Sequence, residues 1–148
     1  MTDRSILLVE DSPDDEELEL MAFKQSRLFN DIVVVRDGAD ALDYLFGTGS
    51  FAGCAVRLPQ VIILDLKLPK LGGLDVLKRI RAHPPTALVP VVVMTSSIQE
   101  SDLVSSYQLG ANSYVRKPVE FQSLINKVQM VGNYWMLINQ TAAVSLKP

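Results

Sequence analysis

Five times along the chain a short, β-branched apolar run gives way to a segment with helical spacing, and this alternation most narrows the folds open to it. The runs fall at residues 5–9, 32–35, 61–64, 90–94 and 113–115. The third, Val61-Ile62-Ile63-Leu64, has no polar residue at all and predicts a strand buried on both faces of a parallel sheet. Strands alternating with helices predict an α/β domain wound right-handedly, with helices on both faces of the sheet.

The helical segments carry their own punctuation. Ser12-Pro13 supplies an N-cap and a first helical residue, and Asp14, Asp15, Glu16 and Glu17 are read as macrodipole partners on a solvated first turn. Leu18, Met21 and Ala22 are the expected packing face. Asn30-Asp31 is a turn, and residues 39–46 form the second helix through Ala41, Leu42, Leu45 and Phe46. The third, residues 74–82, turns Val76, Leu77 and Ile80 inward and Lys78, Arg79 and Arg81 outward. The fourth, residues 99–109, is amphipathic through Leu103, Val104 and Tyr107 and stops at Gly110. The last starts near Val119 with Phe121, Leu124, Ile125 and Val128 on one stripe. Residues 47–59 lack a period and read as a surface insertion.

At 148 residues there is room for one ordinary domain, taken as 1–148 with a core of about 5–131 and an apolar extension at 132–148. A net charge of −3 argues against a nucleic-acid-binding surface. Cys54 is the only cysteine, which excludes an internal disulfide or a cysteine-based zinc site and fits a cytoplasmic protein. No signal peptide or membrane-length apolar run is present. His83, the only histidine, precedes Pro84-Pro85 and reads as a helix-terminal surface residue.

Chemistry enters at the strand ends. In a parallel sheet all carboxyl ends share one edge, the edge where such folds place ligands. Glu10-Asp11 follow the first run, Asp65 the third, Thr95 the fourth and Lys117 the fifth. Grouped carboxylates repel, and a divalent cation relieves the repulsion. An all-oxygen set favours Mg²⁺, with Mn²⁺ or Ca²⁺ as substitutes. A carboxylate between a metal and a lysine is the arrangement expected of a nucleophile that accepts a phosphoryl group, with the Thr95 hydroxyl bonding another of its oxygens.

At these positions the chain resembles the receiver domains of two-component response regulators, over about residues 5–128. Glu10-Asp11 resembles the family's metal-binding acidic pair. Asp65, within Asp-Leu-Lys-Leu-Pro-Lys-Leu-Gly-Gly, resembles its phosphoacceptor, and Thr95, Tyr114 and Lys117-Pro118 its switch hydroxyl, switch aromatic and lysine. The resemblance implies a flavodoxin-like (βα)5 doubly wound sheet in the order 2-1-3-4-5. It also implies a third metal ligand from the Lys67 backbone carbonyl and a cis Lys117–Pro118 peptide. Gly72 and Leu68 depart from the family's frequent acid and methionine, and Lys67 and Ser97 stand where phosphoryl lifetime is tuned.

The implied function is a phosphoacceptor signalling protein, not an enzyme, taking its phosphoryl group from a sensor histidine kinase. Its output is altered protein binding or onward transfer in a phosphorelay. The insertion and the apolar run through Tyr134-Trp135 are similar to small cyanobacterial regulators paired with phytochrome-type kinases. That run, from Met130 to Ile138, exceeds what one buried stripe can hold and predicts a homodimer through the C-terminal helix surface. A stop at Gly132 with the remainder folded back is the competing expectation. A haloacid-dehalogenase-like phosphatase needs an acid where Lys67 stands, and a dinucleotide fold needs a Gly-x-Gly-x-x-Gly turn where Glu10-Asp11-Ser12-Pro13-Asp14-Asp15 presents acid and no glycine. An interaction module that keeps the fold without phosphorylation stays open.

Overall fold

The computed structural model describes residues 4–26 and 31–142; Asn30 of the expected turn and residues 143–148 of the extension lie outside them. The strands are β1 (Ser5–Val9), β2 (Asp31–Val35), β3 (Val61–Leu64), β4 (Val91–Thr95) and β5 (Ser113–Arg116). All pair in parallel, in the order β2-β1-β3-β4-β5. The helices are α1 (Pro13–Gln25), α2 (Gly38–Phe46), α3 (Gly73–Ala82), α4 (Glu100–Gln108) and α5 (Phe121–Asn133).

Side-chain alternation along the strands divides the core in two. Ile6, Leu8, Val61, Ile63, Val92 and Met94 face α1 and α5, where they meet Ala22, Phe23, Leu124, Ile125 and Val128. Leu7, Val9, Ile62, Leu64 and Val91 face α2 and α3 and meet Ala41, Leu45, Val76, Leu77 and Ile80. The same alternation, carried one step past each strand, sets the site. Glu10 continues the face of Leu8, Asp65 that of Ile63, and Lys117 that of Val115, which also packs on the α1/α5 side.

Several helix faces differ from the expected ones. Met21, Val104, Tyr107 and Phe121 are exposed, and α4 buries only Ser106, so it covers the sheet with little apolar surface. Arg81 is not outward. Its guanidinium is half-buried and donates to the carbonyls of Val89 (2.8 Å) and Gly110 (2.9 Å) and to Asn112 Oδ1 (2.8 Å). It thereby ties α3 to the loops that lead into β4 and β5. His83 is half-buried, its ring 4.2 Å from that of Phe46. No cis peptide occurs among the described residues, so Lys117–Pro118 is trans, the intrinsically favoured form of such a bond.

Gly132 does not stop the last helix. It is buried within α5, and the chain continues into one π-helical turn, Tyr134–Ile138. That turn folds back on its own domain. Met136 is 2% exposed and joins the α1/α5 core, and Trp135 packs against it. Gln60 Nε2 donates to the carbonyls of Trp135 (3.1 Å) and Met136 (3.4 Å). Met130, Tyr134, Leu137 and Ile138 stay exposed. The fold-back therefore accounts for part of the apolar run and leaves the rest on the surface.

Candidate functional site

The strand ladders extend one residue past each end and fix the backbone of the site. Glu10 N donates to Val35 O (3.0 Å), Asp65 N to Val9 O (3.2 Å) and Lys117 N to Thr95 O (2.8 Å). Glu10, Asp65, Thr95 and Lys117 are all buried, while Asp11 and Lys67 are exposed at the rim. The sequence-predicted residues thus meet at one sheet edge.

Lys117 Nζ is the hub. It lies 2.6 Å from Glu10 Oε1, 2.9 Å from Asp65 Oδ2, 2.9 Å from Asp15 Oδ2 and 3.7 Å from Glu19 Oε1. Burial alone would lower its pKa, but the charges of Asp65, Glu10 and Glu19 outweigh that and hold it raised. Glu10 is pushed up by burial against the pull of Lys117. The other oxygen of Asp65, Oδ1, accepts from Lys67 N (3.2 Å). Asp65 is therefore oriented at both oxygens.

Two of these acids are not among the expected site residues. Asp15 is not merely a macrodipole partner, since it bonds Lys117. Glu19 is 1% exposed, and neither of its oxygens has a hydrogen-bond partner. Burial first, and then the neighbouring Glu10 charge, push its carboxyl up to about 10. A signal existed: Asp15 and Glu19 are four apart on α1, and Ala22 and Phe23, one turn further on, lie fully in the core.

The acids form two groups that share one member. Oxygens of Glu10, Asp11 and Asp65 lie within 4.8 Å of one another, and so do those of Glu10, Asp15 and Glu19. The first group opens to solvent through Asp11 and adjoins the Lys67 backbone. Hard oxygen donors without a histidine or cysteine suit Mg²⁺ or Mn²⁺.

The loop after Asp65 is braced from the side. Asp37 caps α2, accepting from Asp40 N (2.7 Å), a bond that lowers its pKa, and its Oδ2 pairs with Lys70 Nζ at 3.3 Å. Lys70 sits at φ 66°, a left-handed conformation that turns the loop after Pro69. A Cβ on Gly73 would strike the carbonyl of Asp65, so the close approach of α3 to Asp65 requires glycine there. On the other flank, Thr95 Oγ1 accepts from Ser97 N (3.3 Å), and Ser97 Oγ donates to Asp102 Oδ2 (2.5 Å). Tyr114 is half-buried with its hydroxyl sealed and unpartnered, and burial raises its pKa.

Comparison with known proteins places this arrangement. The family model for the response regulator receiver domain matches residues 6–129. Response regulator Rcp1 of Synechocystis sp. is 37% identical over 131 residues, 88% of each chain. Its Mn²⁺-bound crystal form superposes with a TM-score of 0.87, covering 93% of this chain and 98% of that one. The phosphorylated cyanobacterial phytochrome response regulator RcpA is 35% identical with a TM-score of 0.88, over 94% of this chain and 98% of that one. The bacteriophytochrome response regulator AtBRR is 49% identical with a TM-score of 0.72, over 93% of this chain and 98% of that one.

Proposed function

The chain belongs to the response regulator receiver family, and from that premise we propose that it is a single-domain phosphoacceptor whose acceptor is Asp65. What supports this is the placement of Asp65: a carboxylate at the end of the central strand, held through one oxygen by buried Lys117 and through the other by a backbone N–H. In the transfer, an Asp65 oxygen attacks the phosphorus of a phosphohistidine. The P–N bond breaks, and its electron pair returns to the imidazole of the donor. Lys117 keeps a positive charge against the incoming oxygens, and the Thr95 hydroxyl is within the same edge to bond one of them.

Glu10, Asp11, Asp65 and the Lys67 carbonyl fit Mg²⁺, with Mn²⁺ or Ca²⁺ as substitutes, because three carboxylates already converge within 4.8 Å. The metal supplies charge neutralisation at the phosphoryl oxygens. Rcp1, a relative, has a Mn²⁺-bound form. The chemistry is the protein's own phosphorylation and dephosphorylation, with no turnover of a separate substrate.

The phosphoryl donor is a cytoplasmic sensor histidine kinase of phytochrome type, as the name of RcpA suggests for that relative. Among the described residues no helix is long and apolar enough to cross a membrane. Output runs through Thr95 and Tyr114 to altered protein binding, or onward in a phosphorelay. Nucleic acid is not a partner. Exposed Met130, Tyr134, Leu137 and Ile138 support a homodimer through the α5 surface. Light scattering at tens of micromolar is expected to give a dimer mass, and a monomer with and without a phosphoryl mimic would remove this element.

Labelling with acetyl phosphate and Mg²⁺ tests the central claim. Intact mass is expected to show one added phosphoryl group on the wild type and none on Asp65→Asn. Undiminished labelling of the variant moves the acceptor elsewhere, and an unlabelled wild type points to a phosphorylation-independent interaction module.

A further inference from the structure

Lys117 sits between two acid groups that have different surroundings. One, Glu10 with Asp11 and Asp65, opens to solvent and suits a divalent cation. The other, Glu10 with Asp15 and Glu19, lies under α1. Lys117 Nζ touches members of both, at 2.6 Å to shared Glu10, 2.9 Å to Asp65, 2.9 Å to Asp15 and 3.7 Å to Glu19. A cation arriving at the first group therefore competes with Lys117 for the negative charge of Glu10 and Asp65. A buried ammonium that loses its carboxylates needs other partners at once.

The α1 acids are placed to supply them. Asp15 and Glu19 are four residues apart, so they present to one side of the helix. Asp15 already bonds Nζ. Glu19, its side chain 1% exposed, lies against Glu10, finds no N–H or hydroxyl donor for either oxygen, and points one of them at Nζ from 3.7 Å. That distance is beyond hydrogen-bond range and closes with a short displacement. The unsatisfied acceptor is thus accounted for as the second half of a seat used in another state.

We propose that Asp15 and Glu19 are positioning residues that form an alternative seat for Lys117. When a divalent cation occupies Glu10, Asp11 and Asp65, Nζ moves off Glu10 towards Asp15 and Glu19 while remaining at the sheet edge. The seat raises metal affinity by drawing off the internal competitor, and it keeps Lys117 within reach of a phosphoryl group on Asp65. This rests on the metal reading proposed above.

A double-mutant cycle on Mn²⁺ binding, read by calorimetry or by the free-Mn²⁺ electron paramagnetic resonance signal, tests it. In the otherwise wild-type chain, Asp15→Asn with Glu19→Gln is expected to weaken Mn²⁺ binding by about five- to tenfold, the size of a typical coupling between sites. In a Lys117→Met background, folded as judged by circular dichroism, the same pair is expected to change affinity by less than about twofold, because no competitor remains. Equal losses in both backgrounds would mean that the two acids act only through their field, and would overturn the proposal. No loss in either background would overturn it as well. A wild type that binds no Mn²⁺, or an Asp11→Ala variant that binds as tightly as wild type, would instead take down the metal reading itself. A crystal structure of the Mn²⁺-loaded wild type gives a mutation-free check. Nζ within about 3.2 Å of Asp15 or Glu19 and away from Glu10 supports the seat; Nζ still on Glu10, or turned to solvent, overturns it.

Discussion

The two ends of the same sheet hold their buried polar groups in opposite ways. At the carboxyl end one ammonium faces four acidic side chains, of which Glu19 holds its proton beside Glu10. At the amino end Gln60, just before β3, and Arg4, just before β1, donate to carbonyls of the C-terminal turn above buried Met136. The first arrangement is charged and crowded. The second joins amide and guanidinium donors to backbone carbonyl oxygens. The carboxyl end thus crowds charges whose mutual repulsion a bound cation would relieve.

Breaking the charged end should have the largest effect. Lys117→Met leaves Glu10 and Asp65 buried without their counter-charge, a change that costs about 3–5 kcal/mol in comparable sites. In a chain of this length that is a fall in melting temperature of about 10 °C. Mn²⁺ is expected to recover part of it by replacing the missing positive charge. Thermal melts followed by circular dichroism with and without Mn²⁺ read both effects. A variant that melts with wild type and ignores the metal would mean that the cluster is not held by charge.

The amino end should respond to volume and not to ions. Met136→Ala removes a fully buried side chain from the α1/α5 core and is expected to cost about 2–3 kcal/mol. Mn²⁺ affinity should stay at the wild-type value, since the change lies at the far end of the strands. A matching loss of metal affinity would show that the two ends are coupled, and the contrast between them would fail.

The smallest effect sharpens the contrast through pH. Glu19 faces Glu10, Asp15 and Lys117, and its carboxyl is raised from 4.5 to about 10 in the fold. Between those values the folded protein holds a proton that the unfolded chain releases. The stability from that proton is present below about pH 4.5 and is lost as pH rises towards 10. Glu19→Gln has no such proton to lose. It should gain on wild type in melting temperature between pH 5 and pH 8, the direction that loss of the wild-type proton requires. A gap that is constant with pH, or that closes on going to pH 8, would contradict the raised carboxyl.

Much of this molecule was legible before any coordinates. The β-branched runs, the Ser12-Pro13 cap and the breakers at Pro69 and Gly110 are local signals, and they place strands and helices within a residue or two of where they stand. Period-two alternation and the shared edge of a parallel sheet were enough to bring Glu10, Asp65 and Lys117 together, although the strand order itself came from resemblance. Helix faces were read less well. Met21, Val104, Tyr107 and Phe121 have apolar side chains or rings at helical spacing, yet they are exposed. Spacing says which residues share a face, and not how far the neighbouring sheet extends beneath it.

What the sequence by itself determined is the succession of elements and the chemistry that ends each strand, because both depend on hydrophobicity and backbone preference over a few residues. Only the tertiary structure decided which polar groups lose their water. Asp15 and Glu17 look alike in the chain, but α1 lies so that Asp15 bonds Lys117 while Glu17 is exposed. Arg81 reads as one of three basic surface residues, but the loops around β4 enclose its guanidinium with carbonyl acceptors. Met136 and Leu137 are neighbours in one apolar run, and the π-helical turn buries the first and exposes the second. Desolvation depends on what arrives from elsewhere in the chain, and that is set only when the helices have docked on the sheet.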